Sequence, residues 1–277
     1  MTCIKSSARY VLNRSVNRER FNDSFIYALY LALRYPAYAK SKKTESEFYR
    51  RVLENSSHLI FDVGANSGAK TAIFARLANK VISIEPSSVA VSSLKRRFIH
   101  NHKVTIVAKG VGDCEGSAQL KIFDGADAYN TFSNKWAETL SGSNWTTWRP
   151  NKVVTCVVDA PMTTLDALIK THGVPDYIKI DVEGYELQVV KGLSQAVRLI
   201  SFESNLPEFK DETKEIVRLL SNLSPEASYN FTTSEPPEVF GSSRWLGSSE
   251  IGRVIDSGQF GFLEIFFKSR PDCVNAS

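Results

Sequence analysis

The sequence predicts an α/β fold, a mostly parallel β-sheet covered by helices on both faces. From residue 58 onward, short β-branched runs alternate with helix-length segments, the pattern left when buried strands are joined by crossover helices. One of these runs passes through a glycine turn straight into a helical segment, DVGANSGAKTAIFARLA at 62–78, as happens at the ligand-binding edge of a parallel sheet. The composition agrees: 277 residues, 43% hydrophobic and 23% charged, describe a folded chain with a full core rather than a disordered, collagenous or coiled-coil one.

The elements follow in order. Residues 21–55 read as helical, with Phe25, Leu29 and Leu33, then Phe48 and Val52, at helix spacing and Pro36 separating two segments. This places an N-terminal helical extension over 1–57 and the main domain over 58–277. Strands are expected at LIFDV (59–63), VISIE (81–85), VTIVA (104–108), YIKID (177–181), LISFE (199–203), YNFTT (229–233) and FLEIFF (262–267). Between 110 and 161 the rhythm breaks into a hairpin, AQLKIF (118–123) then VVTCVV (153–158), around a segment carrying Trp136, Trp145 and Trp148. Those tryptophans, with Trp245, are expected either in a small local core or lining an acceptor pocket. The stretch 234–252 is dense in Ser, Gly and Pro and reads as loop.

Charge and cysteine content narrow the function classes. Lys and Arg number 34 against 30 Asp and Glu, a net charge of +4, which lacks the concentrated positive charge of a dedicated nucleic-acid binder. The basic run Lys95, Arg96 and Arg97 reads as a solvated helix face. Four scattered cysteines without a C-x-x-C pair signal neither a disulfide framework nor a zinc site, and favour a reducing, cytoplasmic location. The apolar stretch FIYALYLAL at 25–33 is far short of the roughly 20 residues a membrane span needs. The basic residues before it, Lys5, Arg9, Arg14, Arg18 and Arg20, come with no apolar secretory core or cleavage signal.

The chemistry concentrates at the glycine turn. Gly64 and Gly68 permit positive φ and close backbone approach. Their G-x-x-x-G spacing, with Asp62 just before, departs from the pyrophosphate-binding G-x-G-x-x-G and suits a cationic ligand group better than a diphosphate. The next strand ends in Glu85, placed where a carboxylate accepts both ribose hydroxyls of an adenosine. An adenosine bearing a positive charge satisfies both acids.

These residues, followed by TTLDALI (163–169) and IKIDVEGYE (178–186), resemble class I S-adenosylmethionine-dependent methyltransferases and, within them, the FkbM family. The resemblance runs in order from DVGANSG through IEPS, TLD, IKIDVEG and SFESN to a final hairpin, over about 58–267. It implies a Rossmann-like three-layer sandwich, its seven-stranded sheet mostly parallel with the last strand antiparallel. It implies S-adenosylmethionine as cofactor, with Asp62, Gly64, Asn66 and Gly68 lining the methionine part, Glu85 holding the ribose, and Gly110 and Asp113 near the adenine. It also implies methyl transfer to a hydroxyl of a sugar, glycolipid or secondary metabolite.

For the reacting centre, strand order places Asp181, Glu183 and Glu203 at the ligand edge. They are the candidate catalytic residues, with Glu203 and Glu183 ahead of Asp181 because Lys179, inside a buried strand, needs a carboxylate partner of matching parity. Asp181, Glu203 and Asn205 are also similar to the magnesium site of catechol-type O-methyltransferases, with Glu where Asp is usual; no metal is assigned. None of the four histidines falls at this edge. Alternatives are an N-methyltransferase acting on protein or nucleic acid, an NAD-dependent oxidoreductase, and a non-catalytic cofactor-binding partner protein. The (Asp/Asn)-Pro-Pro-(Tyr/Phe) run common in adenine amino-methylases is missing after the fourth core strand, where the chain reads Asp181-Val-Glu-Gly.

Overall fold

A computed structural model describes residue 33 and residues 35–54, 57–123, 127–142 and 152–269 of the chain. The helical expectation for 21–32, and those for Trp145, Trp148 and the basic N-terminal residues, fall outside the described residues.

Seven strands form one sheet in the order β3-β2-β1-β7-β8-β10-β9. They are β1 (Ser57–Val63), β2 (Ala78–Ile84), β3 (Val104–Val107), β7 (Tyr177–Ile180), β8 (Leu199–Asn205), β9 (Ser228–Thr232) and β10 (Phe262–Lys268). Neighbours from β3 to β8 run parallel, and β10 lies antiparallel between β8 and β9. The sheet is thus mostly parallel with an antiparallel last strand, as the sequence predicts.

Strand parity sorts the side chains into two layers. Phe61, Val63, Ile82, Ile84, Ile178, Ile180 and Phe202 face one large core. Helices α5 (Leu165–His172), α6 (Glu186–Lys191), α7 (Lys210–Leu223) and α8 (Ser248–Asp256) pack there, through residues such as Leu168, Val189, Leu220 and Ile255. Ile60, Val81, Tyr177, Leu199 and Phe266 face the opposite layer, against α1 (Pro36–Val52) and α2 (Ala69–Leu77). Pro36 opens α1 at its first turn, where its missing N–H costs nothing. Phe48 and Tyr49 of α1 are buried with Phe74 of α2, so this helix shares the core of the sheet.

The 110–163 region is a second, three-stranded sheet, with β4 (Gly110–Val111) and β5 (Gly116–Phe123) flanking β6 (Val154–Thr163). The expected hairpin is present, and longer than the two apolar runs alone. Between its arms, α4 (Asn134–Ser141) buries Trp136 completely against Phe123, Leu140 and Phe209. Trp136 therefore belongs to a local core. Trp245 meets Phe240 edge to face, in the layer that also holds Phe48.

Cys156 on β6 is disulfide-bonded, where the sequence signals no disulfide. Spacing along the chain says nothing about which sulfurs meet in the fold, and a disulfide does not favour a reducing compartment. No helix among the described residues is long and apolar enough to cross a membrane.

Candidate active site

A cleft opens at the carboxyl ends of β2, β1, β7 and β8. Its lining includes Gly64, Asn66, Ser67, Lys70, Glu85, Lys109, Gly110, Asn130, Phe132, Asp181, Glu183, Glu203 and Glu235. Among the described residues that line it there is no histidine.

The glycine turn is fixed from three sides. Gly64 has φ +85° and its N–H donates to the Ile84 carbonyl at 3.0 Å; a Cβ there would fall 1.7 Å from the Asp181 carbonyl oxygen. Only glycine lets the turn approach β7 so closely. Asn66, also at positive φ, donates its N–H to Glu85 Oε2 at 2.9 Å. Arg97, in α3 (Ser88–Arg97), donates to the Ser67 carbonyl at 3.0 Å. The basic run is not only a solvated face, because one member braces the turn.

Glu85 lies one residue beyond β2 and is 7% exposed. Its Oε1 accepts the Ser87 N–H at 2.8 Å and its Oε2 the Asn66 N–H. Each carboxylate oxygen has a second lone pair, so the group can take a ribose hydroxyl on either oxygen while it holds the turn.

Just past β7 and within β8 the chain places the three acids the sequence nominates, and Asp181, Glu183 and Glu203 all line the cleft. Beneath them lies Lys179, fully buried, with Nζ 2.9 Å from Glu203, 3.2 Å from Asp181 and 3.7 Å from Glu264. The expected Lys179–Asp181 pair is thus one arm of a larger cluster. Burial alone would lower this ammonium; the carboxylates of Asp181, Glu203 and Glu264 outweigh it and hold the group well above the lysine range. Glu203 is pushed well above the usual carboxylate range by burial and the Asp181 charge, with Lys179 pulling the other way. The ammonium bridges the Asp181 and Glu203 carboxylates that the magnesium comparison pairs with Asn205. Among the described residues no set of three or more His, Cys, Asp or Glu could hold a metal ion.

The VEGYE run is a locked turn. Glu183 has φ +55° and Gly184 φ +83°, while Glu186 Oε1 accepts the N–H groups of Val182 and Gly184, each at 3.2 Å. Thr131 donates to the Glu183 carbonyl at 2.7 Å, tying the turn to the second sheet. Burial raises the Glu186 carboxyl to about 7 against these bonds. A non-glycine residue held at positive φ beside a cleft is a strained position typical of functional sites.

Three nominated residues do not line the cleft. Asp62 is buried under the turn, where Thr71 donates to it at 2.5 Å, and burial raises its carboxyl to about 6 despite that bond. Gly68 sits at the start of α2, where a Cβ would meet Leu94 and Phe98 of the neighbouring helix segment within 3 Å, so close helix packing requires it. Asp113 is exposed and outside the lining, although Gly110 is within it. Conversely, the sequence reading missed Lys70, Phe132, Asn130 and Glu235, which reach the cleft from a helix and two loops. Lys70 alone had a signal, its position two residues after Gly68.

Comparison with known proteins bears on this geometry. Residues 62–231, more than half of the chain, match the family described as the methyltransferase FkbM domain. Hexuronic acid methyltransferase AglP of Haloferax volcanii is 24% identical over 186 residues, covering 64% of this chain and 68% of that protein. Among solved structures, an O-methyltransferase assigned in Klebsiella pneumoniae is 9% identical with a TM-score of 0.40, covering 97% of each chain. The plantazolicin methyltransferase BpumL in complex with SAH is 11% identical with a TM-score of 0.40, covering 92% of this chain and 96% of that one. On the strength of the domain match, the chain belongs to the FkbM methyltransferase family and is an S-adenosylmethionine-dependent methyltransferase.

Proposed function

We propose that the enzyme methylates a hydroxyl group of a sugar, glycolipid or secondary metabolite, with a carboxylate of the Asp181, Glu183 and Glu203 group accepting or orienting the proton. S-adenosylmethionine supplies a methyl already attached to a good leaving group, so the chain's task is alignment and proton handling. The observation that carries the reading is that three carboxylates line the cleft beside the glycine turn with no histidine among its described lining. Burial and the Asp181 charge raise the proton affinity of Glu203, the direction that suits a general base. The sequence ground for placing Asp181 behind Glu203 falls away, since Lys179 is closer to Glu203. Glu183 stands beside these two acids on the lining.

In this reading Glu85 holds the ribose, and Gly64, Asn66 and Asp181 border the methionine part, leaving the side toward Asn130, Phe132 and Glu235 for the acceptor. Phe132 offers a ring for the apolar face of a sugar. AglP, a hexuronic acid methyltransferase, supports a sugar acceptor. The five acids on the lining, Glu85, Asp181, Glu183, Glu203 and Glu235, outnumber Lys70 and Lys109 there, a balance that favours a neutral polyol over a carboxylate-bearing one, because like charges repel in a partly desolvated cleft. The test is to assay S-adenosylhomocysteine release and methylated product on a panel of neutral glycans, uronates, phenols, peptides and oligonucleotides. Turnover confined to peptide or oligonucleotide amines would overturn the hydroxyl assignment.

A further inference from the structure

We infer that Lys70 binds the carboxylate of the cofactor's methionine part, and that Glu45 of the N-terminal helix α1 positions it for that task. The strand order spreads the cleft along a line. Lys109 and Gly110 lie beyond β3, Glu85 at the tip of β2, Gly64 at the tip of β1, Asp181 past β7 and Glu203 within β8. With ribose at Glu85 and adenine toward Gly110, the amino-acid end lies over β1 and β7. That end carries a carboxylate as well as an ammonium and a sulfonium. Asp181 on the lining suits the positive groups; the carboxylate needs a cation. Among the described lining residues the cations are Lys70 and Lys109, and Lys109 stands at the opposite end.

Lys70 is held in place. Its Nζ pairs with Glu45, and the ammonium lies 5.8 Å from the centre of the Tyr49 ring. Glu45 is 6% exposed and cannot swing away without opening the packing of α1 on α2. An ammonium has three hydrogens, and one carboxylate partner does not exhaust them. The pair therefore anchors the cation while leaving it able to donate into the cleft. Glu45 lies outside the matched domain, residues 62–231, so the inference gives α1 a part in cofactor binding that the domain match does not describe.

The inference rests on ribose lying at Glu85, and the experiment separates the two. Titration calorimetry on the full chain compares S-adenosylhomocysteine with 5′-methylthioadenosine, which shares the adenosine thioether and lacks the amino-acid part. Lys70→Met should weaken S-adenosylhomocysteine roughly tenfold, the scale of one charge-assisted hydrogen bond at a half-open site, and leave methylthioadenosine within about twofold. Lys70→Arg, which keeps the charge, should restore most of the loss, and Glu45→Gln should reproduce it selectively but more weakly. Unchanged S-adenosylhomocysteine binding by Lys70→Met, or equal weakening of both ligands, overturns the assignment. Should Lys70→Met fail to fold, Glu45→Gln decides by the same ligand comparison. The ribose placement has its own readout, because Glu85→Ala should weaken both ligands alike.

Discussion

Replacing Glu203 by Gln separates proton handling from binding. The amide keeps the side chain's volume and an oxygen that can still accept from Lys179 Nζ at the 2.9 Å position. The ammonium retains Asp181 at 3.2 Å and Glu264 at 3.7 Å, so the variant does not strand a buried charge. The stability cost should be that of one weakened charged hydrogen bond, about 1–3 kcal/mol, or a fall in Tm of roughly 2–4 °C per kcal/mol for a chain of this size. Cofactor affinity should hold within about threefold, since Glu85 and the glycine turn are untouched. Turnover should fall by about 10² or more, the usual worth of general-base assistance. The pH profile adds a sign. A base must be ionised, and the Glu203 carboxyl is raised above the ordinary range by burial and the Asp181 charge. Wild-type turnover should therefore fall as pH drops through a window above ordinary carboxylate pKa values, and the variant should lose that limb. The assay is S-adenosylhomocysteine release with an identified acceptor across pH, beside calorimetric S-adenosylhomocysteine binding. Wild-type turnover in both Glu203→Gln and Glu183→Gln would refute acid–base assistance from these residues and leave alignment to carry the reaction.

Glu85→Ala should weaken S-adenosylhomocysteine by more than tenfold, from loss of charge-assisted hydrogen bonds of about 1.5–3 kcal/mol; an unchanged calorimetric Kd would remove the ribose assignment. Gly64→Ala should lose cofactor binding and several degrees of Tm, because φ +85° and a Cβ 1.7 Å from a backbone oxygen leave no room for relaxation; a wild-type melting curve with normal binding would contradict the geometry. Glu186, ordinarily near 4.5 and raised to about 7 by burial, favours the folded state fully below its unfolded pKa and loses that contribution as pH rises to about 7, at most about 3 kcal/mol. Chemical denaturation from pH 4 to 8 should show this slope in the wild type and a shallower one in Glu186→Gln; identical slopes would show that Glu186 does not titrate in that window.

What the sequence makes legible here is what depends on local order. Strands, the glycine turn and the acids at or just past strand ends are set by residue pattern within a few positions, so pattern alone places Glu85, Asp181 and Glu203 at one edge of the sheet. Contacts across the fold are not legible in that way. Asp62 reads as a cofactor group because it precedes the glycines, yet its neighbour in space is Thr71 from the following helix. Gly68 reads as part of the cradle and is needed for contact with Leu94 and Phe98. The tryptophans draw attention as an acceptor platform, but Trp136 is buried by Phe209, which follows β8 far along the chain. Among the described residues, the ring that reaches the cleft is Phe132, in the loop before α4.

Lys179 shows both the power of parity and its limit. A lysine in a strand buried on both faces requires a carboxylate of the same parity, and that much is readable from YIKID. Register then decides which groups join it. Asp62 pairs with Ser83 on one side and Lys179 on the other, Lys179 pairs with Ser201, and Glu203 pairs with Glu264, so one face of a hydrophobic sheet carries a polar row beneath α1 and α2. Ser201 donates to Glu264 at 2.8 Å, and the Tyr49 hydroxyl of α1 approaches it at 3.4 Å. Burying such a set confers little net stability, since desolvation of each ion offsets much of its attraction to the others. An apolar row would serve folding as well. The arrangement makes sense if its purpose lies at the cleft, where the same ammonium holds the Glu203 and Asp181 carboxylates side by side at the end of the row, fixed in place before any acceptor arrives.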